Sequence, residues 1–425
     1  MRRLLPTHTR TLAPDWAWLA VLAALGVFSS IAVCIRFGAL GDYPFDGGPS
    51  VDALADGQVR EVLAHPAAMG SVSVILRAPL VALTRAGGMG ELGAYQAGAI
   101  ACLVVTALVA VWLAARAAAV DRSRVAVALV VLLAVANPAS VAAVRFGHPE
   151  ESLAAALCVL AVLLARRDRT VAATVALGLA IATKQWAVVA IVPTLLATPS
   201  RSRLLLLGLA GGIAAALTIP VVLVDPATFS QVSHSIASSG SSVTRSTWWF
   251  FASKPDAVEI RHLAGEPSTF TMYRSPAWLT GLAHPLIVGL GIPLGLLVLW
   301  RRGSRSRDAA LPLLALLFLL RCTLDPIDNS YYHLPLLLAL LAWETTATDR
   351  TVPVVTLLAM MGHWLMFDLV EPAVSPPAAS RLYATLTLIL AAYLVRALGL
   401  FPPVSRSLRY GEWSPLRLRS QYRMK

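Results

Sequence analysis

The chain has 425 residues, 57% of them apolar and 14% charged, with a net charge of +12 and a mean hydropathy of +0.70. A water-soluble protein would carry about a quarter charged residues, so the composition excludes an ordinary soluble enzyme and points to one integral membrane unit. The positive charge does not denote nucleic-acid binding, because the arginines fall in short clusters between apolar runs, the pattern that orients membrane helices.

In chain order, Arg2, Arg3 and Arg10 precede an apolar run too long for a typical signal peptide, so an uncleaved first span is expected. Twelve apolar stretches are candidate spans: 16–37, 91–115, 125–137, 150–165, 170–183, 184–197, 204–224, 277–300, 308–323, 331–346, 351–369 and 379–397. Threaded with the N-terminus inside, they place Arg116/Arg122/Arg124, Arg166/Arg167/Arg169, Arg201/Arg203, Arg301/Arg302/Arg305/Arg307 and the tail from Arg406 to Lys425 on the cytoplasmic side. The same parity makes 71–86, with Arg77 and Pro79, a surface or re-entrant piece, and splits 170–197 into two short helices at Thr183-Lys184-Gln185-Trp186. The expected fold class is therefore an all-α polytopic membrane protein of about twelve transmembrane helices in a single domain, 1–425. Residues 38–90 form a first outer loop with interfacial helices, 225–276 a large outer loop, and 398–425 a basic cytoplasmic tail.

The first outer loop is acidic, with Asp42, Asp46, Asp52 and Asp56. Residues 51–64 read as one amphipathic helix with Ser50 as N-cap. Asp46 precedes Gly47-Gly48-Pro49, a turn that exposes its carboxylate, and it is the leading general base, with Asp42 next and Asp52 after. His148-Pro149-Glu150-Glu151 sits at an outer helix start, where acids are also ordinary capping groups. Lys184, between two apolar helices, is costly unless it has a function or snorkels to the interface. The run from Arg321 to His333 adds Asp325, Asp328, Tyr331 and Tyr332. In 225–276, Trp248-Trp249-Phe250-Phe251 suits the headgroup level. Cys34, Cys102, Cys158 and Cys322 show no metal spacing and read as small buried residues.

The acidic first loop, the phrase Gly178-Leu-Ala-Ile-Ala-Thr-Lys-Gln-Trp-Ala187 and the late run Tyr331-Tyr-His-Leu-Pro335 resemble the integral-membrane glycosyltransferases of the C-type fold, specifically family 87, the polyprenyl-phosphate-mannose-dependent α-mannosyltransferases. The first loop departs from the commoner family pattern of an Asp soon followed by Tyr, because Asp46 is followed by Gly-Gly-Pro and Tyr43 follows Asp42. The resemblance implies inverting transfer of a sugar, by family expectation mannose, from a polyprenyl-phosphate donor to a glycolipid or polysaccharide acceptor. It implies a bacterial plasma-membrane enzyme with cytoplasmic termini, an outer-face active site and membrane lipids as further partners. Asp46 serves as base in this scheme. Lys184, His333, Arg321 and His148 are candidates for the donor phosphate, and Glu150, Gln185, Asp325, Asp328 and Tyr332 for the sugar. No metal or other cofactor is required, since fixed cations can stabilise the leaving phosphate. A polytopic transporter or flippase of a lipid-linked or anionic substrate is the alternative. Its weakness is that the polar residues gather at helix ends rather than at mid-span.

Overall fold

The computed structural model describes residues 16–37, 40–64, 70–119, 123–238, 241–242, 256–260, 268–274, 276–348, 350–370 and 373–400. The N-terminal arginines, the aromatic run 248–251 and the basic tail beyond residue 400 lie outside the described residues.

The chain is predominantly helical. It opens with α1 (Trp16–Phe37), the short α2 (Tyr43–Asp46), α3 (Gly48–Ala55) and α4 (Val59–Ala64), then α5 (Ser71–Ala86) and α6 (Glu91–Ala119). Next come α7 (Arg124–Val135), α8 (Pro138–Arg145), α9 (Glu150–Ala165), α10 (Thr170–Thr183), a 3₁₀ turn Gln185–Ala190, α11 (Ile191–Ala197) and α12 (Arg203–Val224). After α13 (Pro226–Ser238), three short strands, β1 (Ser241–Ser242), β2 (Asp256–Ile260) and β3 (Ser268–Arg274), form an antiparallel sheet in the order β1-β3-β2. The C-terminal third holds α14 (Ala277–Gly289), α15 (Gly291–Arg302), α16 (Ala310–Leu324), a 3₁₀ turn Ser330–His333, α17 (Leu334–Ala347), α18 (Val354–Trp364), a π-helical segment Leu365–Val370 and α19 (Pro376–Ala397).

Among the described residues five segments are long and apolar enough to cross a membrane: Glu91–Ala118, Arg124–Arg145, Ser200–Val224, Trp278–Leu324 and Pro376–Ala397. Helices apolar on all sides belong in an interior. Accordingly α9, α16 and α17 are buried along nearly their whole length, while α12 turns Leu204, Leu205 and Leu223 outward.

Three local expectations need correction, and a fourth segment, 71–86, gains a defined packing. Residues 51–64 are two helices, α3 and α4, because Gly57 takes φ +76° and the chain turns at Asp56–Gln58. Residues 71–86, expected as a surface or re-entrant piece, form α5, which exposes Ile75, Leu76 and Leu83. Helix α5 packs against α3 and α6 with Arg77 fully buried, which is possible because that guanidinium finds partners inside the protein. Between Asn137 and His148 there is a helix, α8, whose N-cap Asn137 accepts from Ser140 N at 2.9 Å with Pro138 at its first position. Residues 225–276 carry α13 and the small sheet, so the fold is not wholly α.

Candidate active site

Three backbone features bring distant residues together. Lys184 is extended (φ −147°, ψ 129°), which ends α10 and starts the 3₁₀ turn. Gly70 (φ +69°) seats the start of α5 against the carbonyls of Ala182 and Thr183, where a Cβ would collide. Gly41 (φ +57°) and Gly147 (φ +91°) let the first loop cross the α8–α9 turn in contact, with Asp42 N donating to Phe146 O at 3.0 Å.

Glu150 is the hub. Its carboxylate meets Lys184 Nζ at 2.9 Å, His148 Nδ1 at 3.0 Å and Arg77 Nη1 at 3.7 Å, all in a fully buried position. Arg77 lies over the Tyr43 ring at 4.5 Å and the Tyr95 ring at 5.5 Å. Glu151, the next residue, accepts from Trp186 Nε1 at 3.2 Å and pairs with Lys184 at 3.6 Å and Arg321 at 3.6 Å. Arg321 is held between the rings of Trp186 (4.5 Å) and Tyr332 (4.4 Å). Two adjacent glutamates at one helix start thus fix three cations drawn from α5, the α10 break and α16.

The opposite edge of His148 faces the first loop. Its Nε2 lies 3.3 Å from Asp42 Oδ2 and 3.9 Å from Asp46 Oδ2, and its ring packs on Tyr331 at 4.8 Å. Burial alone would lower the basicity of His148, but hydrogen bonds to Asp42 and Glu150 outweigh it and push the imidazole up to about 9. Asp46 is raised from the usual carboxylate range by burial, with His148 and Lys184 pulling in the opposite direction.

A cavity of ≈ 510 Å³ opens beside this network. Glu151, Lys184, Gln185, Trp186, Arg321, Asp325 and Tyr332 line its polar side, and Val74, Val188, Val221, Val232 and Ile287 its apolar side. Asp325 is buried there, accepting from Ile327 N at 3.0 Å and facing His284 Nε2 at 3.9 Å. One polar wall and one apolar wall suit a ligand with a charged head and a hydrocarbon tail.

Of the residues expected at the site, Lys184, Gln185, Arg321, Asp325 and Tyr332 meet at this cavity, and Glu150, His148, Asp42 and Asp46 join it through the ion pairs above. Three do not. Asp52 turns away to Arg85 at 2.8 Å and the Tyr43 hydroxyl at 3.4 Å, so it serves the packing of α3 on α5. Asp328 is buried 3.9 Å from His333 Nδ1, and His333 Nε2 meets the Tyr383 hydroxyl at 3.0 Å in a second cavity. Sequence reasoning named Glu151 and Arg77 but assigned neither to the site. The signal for Arg77 was an arginine in an apolar run with no acid nearby, which requires a partner from elsewhere in the fold. Among the described residues no three His, Cys, Asp or Glu side chains converge in a way that could hold a metal.

The model of glycosyltransferase family 87 matches residues 58–326, well over half of the chain. The chain belongs to glycosyltransferase family 87. No curated protein and no solved structure matches it. The matched part of this family 87 chain contains Glu150, Glu151, Lys184, Arg321 and Asp325, while Asp42 and Asp46 precede it and His333 follows it. Family membership makes the chain a glycosyltransferase, with donor and acceptor substrates, in preference to a transporter.

Proposed function

We propose that the chain moves a sugar, by family expectation mannose, from a polyprenyl phosphate to a lipid- or polymer-linked hydroxyl at the outer face of a bacterial plasma membrane, within a C-type fold of about twelve spans. The observation that carries this reading is His148, which ties the first-loop carboxylates Asp42 and Asp46 to Glu150 and so to the cavity-lining Lys184. This chain of ion pairs links the proposed base to the proposed phosphate-holding cation and supports the reading.

In this scheme the isoprenoid lies along the apolar wall, since withdrawing it from the bilayer is costly. Its phosphate sits at Lys184 and Arg321, whose carboxylate partners hold them in place without reorganisation. Asp46 takes the acceptor hydroxyl proton. The acceptor oxygen bonds to the anomeric carbon as the bond to the phosphate oxygen breaks, the polyprenyl phosphate leaves with the electron pair, and the anomeric configuration inverts. Asp325, Gln185 and Tyr332, which line the cavity, orient the sugar hydroxyls in this scheme.

The test uses protein in nanodiscs, radiolabelled polyprenyl-phosphate sugars and a native membrane-lipid extract. Asp46→Asn is expected to lower transfer by ~10²–10⁴-fold with donor binding intact. Equal activity in Asp46→Asn with loss in Asp42→Asn would move the base to Asp42. Solute flux without transfer by any donor would overturn the reading.

A further inference from the structure

Away from the active site, α17, α18, the π-helical segment and α19 enclose a second groove of ≈ 530 Å³. Its walls are largely aliphatic, and three of its lining residues, Leu358, Leu386 and Ile389, are 57%, 39% and 63% exposed. One end is closed by the touching rings of His333, His363, Phe367 and Tyr383. At the other end stands Arg350, with a side chain 43% exposed, 5.8 Å over the Tyr393 ring. Exposed Arg396 follows Tyr393 by one turn of α19.

Between Tyr383 and Tyr393 the helix rises ~15 Å, about half the hydrocarbon thickness of a bilayer. The slot is apolar along its length, capped by rings at one end and bordered by the Arg350 guanidinium at the other, with Arg396 exposed one turn beyond Tyr393. Arg350 Nη1 reaches Glu344 at 3.1 Å, but that carboxylate also accepts from Val355 N, Thr356 N and Thr356 Oγ1 at 3.0, 2.7 and 2.8 Å. Glu344 is thus committed to the start of α18, and the partly exposed Arg350 retains further N–H donors for an anion. A basic pocket between membrane helices is the arrangement that selects anionic headgroups.

We infer that this groove holds an anionic glycerophospholipid, one acyl chain lying between α17, α18 and α19 and its phosphate on Arg350 and Arg396. The capped end bears on the catalytic region. His333 shares a 3₁₀ turn with Tyr331 and Tyr332, which pack on His148 and Arg321. A filled groove therefore buttresses one wall of the active-site cavity.

The test is native mass spectrometry of the full chain released from nanodiscs of equal phosphatidylglycerol and phosphatidylcholine with matched acyl chains. The wild type is expected to retain phosphatidylglycerol preferentially. Removing both arginines, Arg350→Ala with Arg396→Ala, should cost roughly fivefold in that preference per arginine. Gly362→Phe should plug the groove, since a Cβ at this lining position meets nothing within 4 Å, and should abolish retention at an unchanged melting temperature. Equal retention of the two lipids by the wild type, or retention of phosphatidylglycerol unaffected in both variants, overturns the inference. So does preferential retention of added polyprenyl phosphate. The readout is bound lipid mass, so it stands or falls independently of the donor assigned above.

Discussion

At the scale of single residues, His148 decides the charge of the site. It lies between two first-loop acids and the buried Glu150, so it remains an imidazolium across the neutral range. Burial raises the Asp46 carboxyl, and the charge of His148 pulls it in the opposite direction. His148→Gln removes that charge, so the acid limb of the kcat/KM profile should move to higher pH. An unmoved limb would mean that the base is not beside His148. Stability has the opposite pH sense. The folded histidine titrates at about 9, above its ordinary 6.5, so its stabilisation is complete below 6.5 and is lost as pH rises through 9. Wild-type melting temperature should therefore fall between pH 6.5 and 9, and the fall should be smaller in His148→Gln. Lys184 and Arg321 obey the same logic of buried pairs. Each is tolerated because Glu150 or Glu151 stands within 3.6 Å.

At the scale of elements, the crossing of the first loop over the α8–α9 turn places Asp46, the proposed base, beside His148. At Gly147 a Cβ would lie 2.6 Å from Tyr43 N and 2.9 Å from Asp42 N, at a φ of +91°. Gly147→Ala should push α2 off His148 and cost ~10²-fold in transfer, the scale of a 1 Å misplacement. Gly57→Ala is the control. It imposes a similar positive-φ strain at +76°, but its Cβ meets nothing within 4 Å, so transfer should stay close to wild type. Comparable losses in both would show that strain, not the crossing, matters. The apolar runs made most of these elements legible. The break at Lys184 was readable because a lysine and a tryptophan interrupt an otherwise continuous apolar stretch, and α10 ends there. The crossing was not readable, since two glycines about a hundred residues apart carry no mutual signal. Nor was the burial of Arg77, whose partner Glu150 lies on another helix. The run 321–333 read as one polar cluster, but the 3₁₀ turn sends Tyr332 to one cavity and His333 to the other.

At the scale of the whole molecule, the two ends have opposite chemistry. Arg307 donates to Ala197 O at 2.9 Å, to Ala165 O and Arg166 O at 3.2 and 3.3 Å, and to Asp168 at 2.7 Å, tying the loops after α9, α11 and α15 together. Arg302 donates to Leu398 O at 2.7 Å, bringing the end of α19 to the same place. At the other end of these helices Lys184 and Arg321 meet Glu151, and His363 meets Ser330 O at 2.7 Å. Helices α9, α10, α16, α17 and α18 thus run between an end tied by Arg307 and Arg302 and the end that holds the site. Under the positive-inside rule such a body is expected to keep its arginines in the cytoplasm, which agrees with the outer-face site proposed above. Exposed Gln58, in the turn between α3 and α4, and exposed Arg201, after α11, report on the two sides. In a Cys34→Ala background, Gln58→Cys should react with a membrane-impermeant maleimide on intact cells. Arg201→Cys should react only after permeabilisation, because Cys102, Cys158 and Cys322 are buried and leave the introduced thiol as the reporter. The reverse pattern would place the carboxylates in the cytoplasm, where a nucleotide-sugar donor becomes accessible and the argument for a lipid-carried sugar loses its main support.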